Sequence, residues 1–324
     1  MTQTHEILQI VNQELSATQW HAEPASLYDP IAYTMSMGGK HLRSALTLMG
    51  CNVFSEDLTP AIKPALGLEI FHNFTLLHDD IMDKAATRRG KPTVHIQWNE
   101  NAAILSGDAM LIKAYQYIAQ CPANVLPEVL SLFSQTAIEV CEGQQYDMNF
   151  ETQTSVTEAE YLRMIELKTA VLLAASLKIG ALIGGATPAQ ASSLYQFGIH
   201  IGIAFQLQDD YLDVYGDPAV FGKKIGGDIS CNKKTFLLIR ALANADATQK
   251  IQLQDWIKAN PADTTEKIAN VSQLYTNIGV HKECQSLMQS ELDKAFVHLT
   301  QSCTSREKTS HLRNLATELM QREK

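Results

Sequence analysis

Apolar residues fall at intervals of three and four along most of this chain. Ile7, Ile10, Val11 and Leu15 share one face of an N-terminal helix. Leu42, Leu46 and Met49 share a second face, and Leu66, Ile70, Phe74 and Leu77 a third. The two-residue alternation of half-buried strands is rare and short. Gly, Pro, Asn, Asp and Ser interrupt the pattern at Ser55–Pro60, Cys121–Pro127, Gly184–Pro188, Gly216–Gly227 and Asn260–Thr264, as connections between helices do. Helices of about 15–25 residues between these breaks predict an all-α chain of roughly ten or more helices. The most apolar stretch, Thr169 to Ala186, carries Lys178 and many small residues. It reads as a closely packed internal helix and not as a membrane span. No composition shift and no repeat marks a second domain, so residues 1–324 read as one domain.

Composition narrows the classes. With 45% hydrophobic residues in 324, the chain can bury a large core. A net charge of −9 argues against a general nucleic-acid surface. An acidic protein that binds polyphosphates needs local basic clusters or metal ions. Six cysteines are scattered without a C-x-x-C pair, the usage of a reduced, cytoplasmic protein. The first residues carry no basic segment leading into an apolar one, so no signal peptide is expected.

Two acidic clusters break the helical pattern. His78-Asp79-Asp80-Ile81-Met82-Asp83 ends the apolar run Gly67–Leu77. Gln206-Leu207-Gln208-Asp209-Asp210-Tyr211-Leu212-Asp213 ends the run Phe197–Leu207. On a helix the first and last aspartates of each cluster share a face, where like charges repel by a few tenths of a kcal/mol. A cation relieves that repulsion, and carboxylate oxygens suit Mg²⁺, which keeps waters and bridges to substrate phosphates. One such cluster alone is as readily an acidic helix end. Two, both closing apolar helices, point to function.

Basic residues accompany both. Gly38-Gly39-Lys40-His41-Leu42-Arg43 opens a helix with Lys40 and Arg43 on one face, and Arg88-Arg89-Gly90 follows Asp83. Lys223-Lys224-Ile225-Gly226-Gly227-Asp228 and then Lys233-Lys234 follow the second cluster. Arg grips phosphate as a fork, Lys as a mobile point charge. Together they supply two diphosphate sites, one charge-matched through metal and one held directly.

In order and spacing these motifs resemble the trans-prenyl diphosphate synthases, also called polyprenyl synthetases. Gly107-Asp108, Glu142-Gly143-Gln144 and Lys168-Thr169 complete a resemblance running from about Gly38 to Lys234. It implies an all-α, isoprenoid-synthase-type bundle around a deep central cavity, acting as a homodimer. The implied reaction is a Mg²⁺-dependent head-to-tail 1'-4 condensation: an allylic diphosphate ionises, and the double bond of isopentenyl diphosphate attacks the cation. About three Mg²⁺ ions are implied, acting on the leaving diphosphate. Asp79, Asp83 and Asp209 are the implied lead ligands, with Asp80, Asp210 and Asp213 in support. Arg88, Lys168, Lys223 and Lys233 are implied for the allylic diphosphate, and Lys40, Arg43, His72 and Arg89 for isopentenyl diphosphate. Thr169 and Gln206 would turn oxygen dipoles toward the developing cation. His72 and Thr169 also read as ordinary packed residues. In the lysine loop, counting from Asp209 selects Lys223, whereas counting back from Gly226-Gly227-Asp228 selects Lys224.

Product length should follow from the helix before the first cluster. Thr75 and Phe74 lie about 6 and 7.5 Å behind Asp79 along a helix axis. The Phe74 ring reads as a floor to the cavity, unless the floor stands on a neighbouring helix. The stretch Phe74 to Asp80 resembles the short-chain geranylgeranyl type, giving C20, with farnesyl (C15) as the alternative. A terpene cyclase would lack the second cluster and the Gly38–Arg43 segment. A non-catalytic subunit of a heteromeric synthase would have lost aspartates or lysines. Neither departure is present.

Overall fold

The structure, a computed structural model, describes residues 4–217, 225–259, 261 and 263–320. In chain order the first elements are α1 (Thr4–Ala17), α2 (Ala25–Ser36), α3 (Leu42–Asn52) and α4 (Thr59–Met82). A hairpin of β1 (Thr87–Arg88) and β2 (Lys91–Pro92) follows. Then come α5 (Val94–Gln97), α6 (Glu100–Ile118), α7 (Leu126–Thr152) and α8 (Glu158–Ile165). A π-helical turn, Glu166–Ala170, leads into α9 (Val171–Ile183) and α10 (Pro188–Tyr215). The remainder is α11 (Gly227–Ser230), α12 (Phe236–Asn244), α13 (Ala247–Lys258), α14 (Thr265–Ile278), α15 (Val280–Ser302) and α16 (Arg306–Met320). The all-α expectation holds. The breaks at Ser55–Pro60, Cys121–Pro127 and Gly184–Pro188 each mark a junction between consecutive helices, running one or two residues into the helix that follows, and Gly216 follows the end of α10. No described helix is long and apolar enough to cross a membrane.

The chain folds as two compact units. The first comprises Met1–Ser134, Ala175–Tyr195 and Ser302–Leu312; the second comprises Gln135–Ala174, Gln196–Gln301 and Arg313–Lys324. In the first unit α4 is the central helix. Leu66, Ile70, Phe74 and Leu77 are buried as their spacing predicts, but so are Ala65, Leu68, Phe71 and Asn73. The helix is therefore covered on nearly every side, and a single apolar stripe understates it. The small residues of the Thr169–Ala186 stretch have a packing reason. A Cβ on Gly180 would meet the Thr47 carbonyl, and one on Gly50 would lie 2.4 Å from the Leu177 carbonyl. The backbones of α3 and the second half of α9 thus touch, which only glycine permits.

In the second unit, Gly198 and Gly202 of α10 play the same part. Added Cβ atoms would lie 2.4 Å from the Ala174 Cα and 2.5 Å from the Ala170 Cα. This close approach sets α10, with its acidic cluster, beside the π-helical turn. A capping box between Thr157 and Glu160 starts α8 just upstream, supplying donors and acceptors to the otherwise unpaired first turn.

Candidate active site

In the first unit, α4 carries His72, Phe74, Thr75, Asp79 and Asp80, and ends with Asp83 as its cap. Successive residues turn about 100° on a helix, so Asp79 and Asp83 share a face while Asp80 turns inward. Asp80 is 4% exposed; Asp79 is partly accessible and Asp83 exposed. Arg88 Nε donates to both Asp80 carboxylate oxygens at 2.9 Å, and its Nη2 lies 3.5 Å from Asp79 Oδ2. Burial raises the Asp80 pKa, against the lowering pull of Arg88. Arg88 is held in place by the β1–β2 hairpin, which the sequence reading did not contain. Arg89 and Gly90 form its turn with φ of 52° and 75°, the positive pair that a tight two-residue hairpin requires. Tyr33 and Thr93 anchor the hairpin by donating to the Pro92 and Ala85 carbonyls.

The Arg89 guanidinium bends back onto the Gly38-Gly39 loop. Its Nη1 donates to the Gly38 carbonyl, and a Cβ on Gly39 would lie 2.9 Å from its Nη2. Lys40 is exposed on that loop, and Arg43 is half-buried in the first turn of α3. His72 is half-buried, and burial followed by the charge of Arg43 pushes its pKa well below the usual histidine value. Behind the cluster, the Phe74 ring meets His78 edge-on at 4.8 Å and Phe71 at 5.6 Å. Phe71 in turn meets Phe133. Thr75 donates its hydroxyl to the His72 carbonyl.

In the second unit, Asp209, Asp210 and Asp213 close α10. Again the middle aspartate turns inward: Asp210 is 5% exposed, while Asp209 and Asp213 are half-buried. Tyr161 Oη donates to Asp210 Oδ2 at 2.5 Å, and Gln206 Nε2 donates to Oδ1 at 2.9 Å. Thr169 Oγ1 donates to Gln206 Oε1 at 3.0 Å. Thr169, Gln206 and Asp210 thus form one chain of hydrogen bonds. Lys168 Nζ lies 2.6 Å from Asp147 Oδ2, and Lys233 Nζ lies 3.9 Å from the same oxygen. Lys168 and Thr169 sit on the π-helical turn, a local widening that recurs at functional sites. It fits because Gly143 of α7 has no side chain: a Cβ there would lie 2.3 Å from the Lys168 nitrogen. Lys234, by contrast, donates to the Phe150 carbonyl at 2.5 Å and caps the end of α7. Lys223 and Lys224 lie outside the described residues.

Asp147, Tyr161 and Glu69, the last 3.0 Å from both His41 Nδ1 and Ser44 Oγ, are not among the residues the sequence motifs single out, and Asp228 enters there only as part of the lysine loop. Asp147 stands three residues after Gln144, so the Glu142-Gly143-Gln144 motif was a signal for it. Glu69 was visible as an acid inside an apolar run. Tyr161 had no distinguishing pattern as a carboxylate partner, and the Gly226-Gly227-Asp228 motif carried no sign that Asp228 stands near Asp210. Burial raises the pKa of both Asp210 and Asp228, and the nearby Asp210 charge pushes Asp228 further.

The donor set suits a hard divalent cation. Outward-facing groups at both helix ends are carboxylates, all oxygen, and the crowding at Asp228 is what a cation would relieve. Among the described residues no three carboxylate, imidazole or thiol groups converge into a ready-made cage. Mg²⁺ does not require one, since it draws most ligands from water and substrate phosphates.

The polyprenyl synthetase family model matches residues 24–276. The chain belongs to the polyprenyl synthetase family. It is 44% identical over 221 residues to a geranylgeranyl diphosphate synthase of Methanosarcina mazei, covering 67% of this chain and 68% of that relative. Its fold matches a crystal structure of a geranylgeranyl pyrophosphate synthase with a TM-score of 0.95 and 40% identity, over 100% of both chains. It also matches the geranylgeranyl pyrophosphate synthetase of Pyrococcus horikoshii with a TM-score of 0.90 and 32% identity, over 98% of this chain and 97% of that one. The family is one of metal-dependent prenyltransferases acting on isopentenyl and allylic diphosphates.

Proposed function

We propose that this enzyme is a short-chain synthase making geranylgeranyl diphosphate (C20) by head-to-tail condensation of isopentenyl diphosphate with allylic diphosphates. The observation that carries it is the paired outward aspartates at two helix ends, each with its own basic cluster. Asp79 and Asp83 in one unit, and Asp209 and Asp213 in the other, would hold Mg²⁺. Asp80 and Asp210 support them from the inward face. Bound Mg²⁺ supplies Lewis-acid charge to the leaving diphosphate. Lys168, Lys233 and Arg88 bind the allylic diphosphate, and Lys223 joins them. Lys40, Arg43, His72 and Arg89 bind isopentenyl diphosphate. Thr169 and Gln206 turn their dipoles toward the allylic cation, and their mutual hydrogen bond sets that orientation. The departed diphosphate accepts the final proton, so no side-chain base is needed.

The C20 product rests on the printed activities of the similar proteins and on Phe74, whose ring is 8% exposed and backed by Phe71. The two units act together as one polyprenyl synthetase domain, a reading supported by a family match that spans both. A homodimer is supported by α6, where Leu105 and Ile112 are 59% and 62% exposed and, seven residues apart, share a face. Six scattered, unpaired thiols support a cytoplasmic setting.

The test is labelled isopentenyl diphosphate with dimethylallyl, geranyl or farnesyl diphosphate, with and without Mg²⁺. C20 from all three primers, lost with Mg²⁺ removal, is expected. Chains stopping at C15 would identify a farnesyl synthase. Cyclic hydrocarbon without isopentenyl incorporation would identify a cyclase, and no turnover a non-catalytic subunit.

A further inference from the structure

Glu69 lies inside the apolar run of α4 and is 2% exposed. A carboxylate is rarely found at that depth without partners that hold its charge. His41 Nδ1 lies 3.0 Å from Oε1, and Ser44 Oγ donates to Oε2 at 3.0 Å. Burial works against ionisation, but the His41 hydrogen bond outweighs it together with the electrostatic pull of His72, His41 and, least, Arg43. They hold the Glu69 pKa at about 2. An ionised carboxylate only accepts, so His41 carries its proton on Nδ1.

His41 has a reason to need such an anchor. It opens α3 with φ of 45°, a left-handed conformation that costs a non-glycine residue about 1–2 kcal/mol. Its neighbours are Lys40 on one side and, two residues on, Arg43. Arg89 reaches the same loop from the hairpin, and Glu69 is among the charges acting on it. Three segments distant in sequence therefore meet around one buried anion: the Gly38–Arg43 loop, α4 and the β1–β2 turn.

We infer that Glu69 is a positioning residue for isopentenyl diphosphate, fixing His41 and the first turn of α3 so that Lys40 and Arg43 stand ready for the diphosphate. This rests on reading Lys40 and Arg43 as its binding groups. The inference has a sign that a bystander charge would not share. A buried anion beside a diphosphate pocket repels the ligand, so neutralising it should tighten binding if charge were its whole effect. If Glu69 positions the loop, neutralising it weakens binding.

Glu69→Gln keeps the size and removes the charge. Calorimetric titration with isopentenyl diphosphate alone should show the Kd rising about tenfold, the scale of a hydrogen bond to a charged group. The KM for isopentenyl diphosphate should rise in parallel, with the allylic KM unchanged. His41→Asn keeps a residue that tolerates the left-handed backbone and should act in the same direction. The double variant should lose little more than Glu69→Gln, because the two act as one unit. Unchanged or tighter isopentenyl binding in Glu69→Gln, or an equal rise in both KM values, overturns the inference. Lys40→Ala and Arg43→Ala separate the two levels. If they leave isopentenyl affinity unchanged, the pocket reading fails and the inference with it. If they weaken it while Glu69→Gln does not, only the inference fails.

Discussion

The two aspartate clusters share a spacing, yet the protein treats them differently. Both end long helices, and in both the middle aspartate turns inward while its neighbours stay accessible. Asp80 meets a permanent cation, Arg88, at 2.9 Å on both oxygens. Asp210 accepts from two neutral donors, Tyr161 and Gln206, and feels the Lys233 charge. The first cluster has its inward charge neutralised within the chain, by a fork matched to a carboxylate. In the second, burial and then Asp209 work against the inward charge while Lys233 favours it, and hydrogen bonds link it to Gln206 and through Gln206 to Thr169. Identical spacing therefore gives an inward aspartate braced by Arg88 in one unit and one hydrogen-bonded to Tyr161 and Gln206 in the other.

The largest effect should come from the accessible aspartates. Asp79→Ala and Asp209→Ala should each lower single-turnover ionisation by on the order of 10³-fold or more, with little loss of thermal stability. A rate near wild type in either would break the parallel between the clusters. Next come the basic groups, which should divide by substrate. Lys168→Ala should raise the allylic KM about 10- to 100-fold, and Lys40→Ala should do the same to the isopentenyl KM. Steady-state kinetics with each substrate varied would expose any crossing of the two effects.

Smaller changes probe the inward aspartates and the floor. Tyr161→Phe removes one of two neutral donors from a buried carboxylate, which costs about 1–3 kcal/mol. It should slow turnover about tenfold while leaving the isopentenyl KM alone. A rise in that KM would mean the clusters are not separable in this way. Phe74→Ala should change rate least and product most, lengthening the prenyl chain beyond wild type. Mass analysis showing an unchanged length distribution would remove Phe74 from the floor. Because Phe71 packs against Phe74 and Phe133, the lengthening is expected to be limited.

Much of this was legible in the chain itself. Helical spacing of apolar residues located the helices, because burial of one face imposes that period whatever the partner. The breaks at Ser55–Pro60 and Gly184–Pro188 were visible because turn chemistry is local. The aspartate clusters and their basic neighbours were visible because like charges at a spacing of four need a reason. What the chain could not reveal is which groups meet. The middle aspartates could not be told from the outer ones without knowing which side of each helix faces inward. The β1–β2 hairpin is too short to produce a period. Gly143 and the π-helical turn bring Lys168 to Asp147 from 21 residues away, and Glu69 gathers His41 and Ser44 from another helix. Spacing along one helix is set by covalent geometry and can be read directly. Pairing across helices is set by packing, and only the tertiary structure decides it.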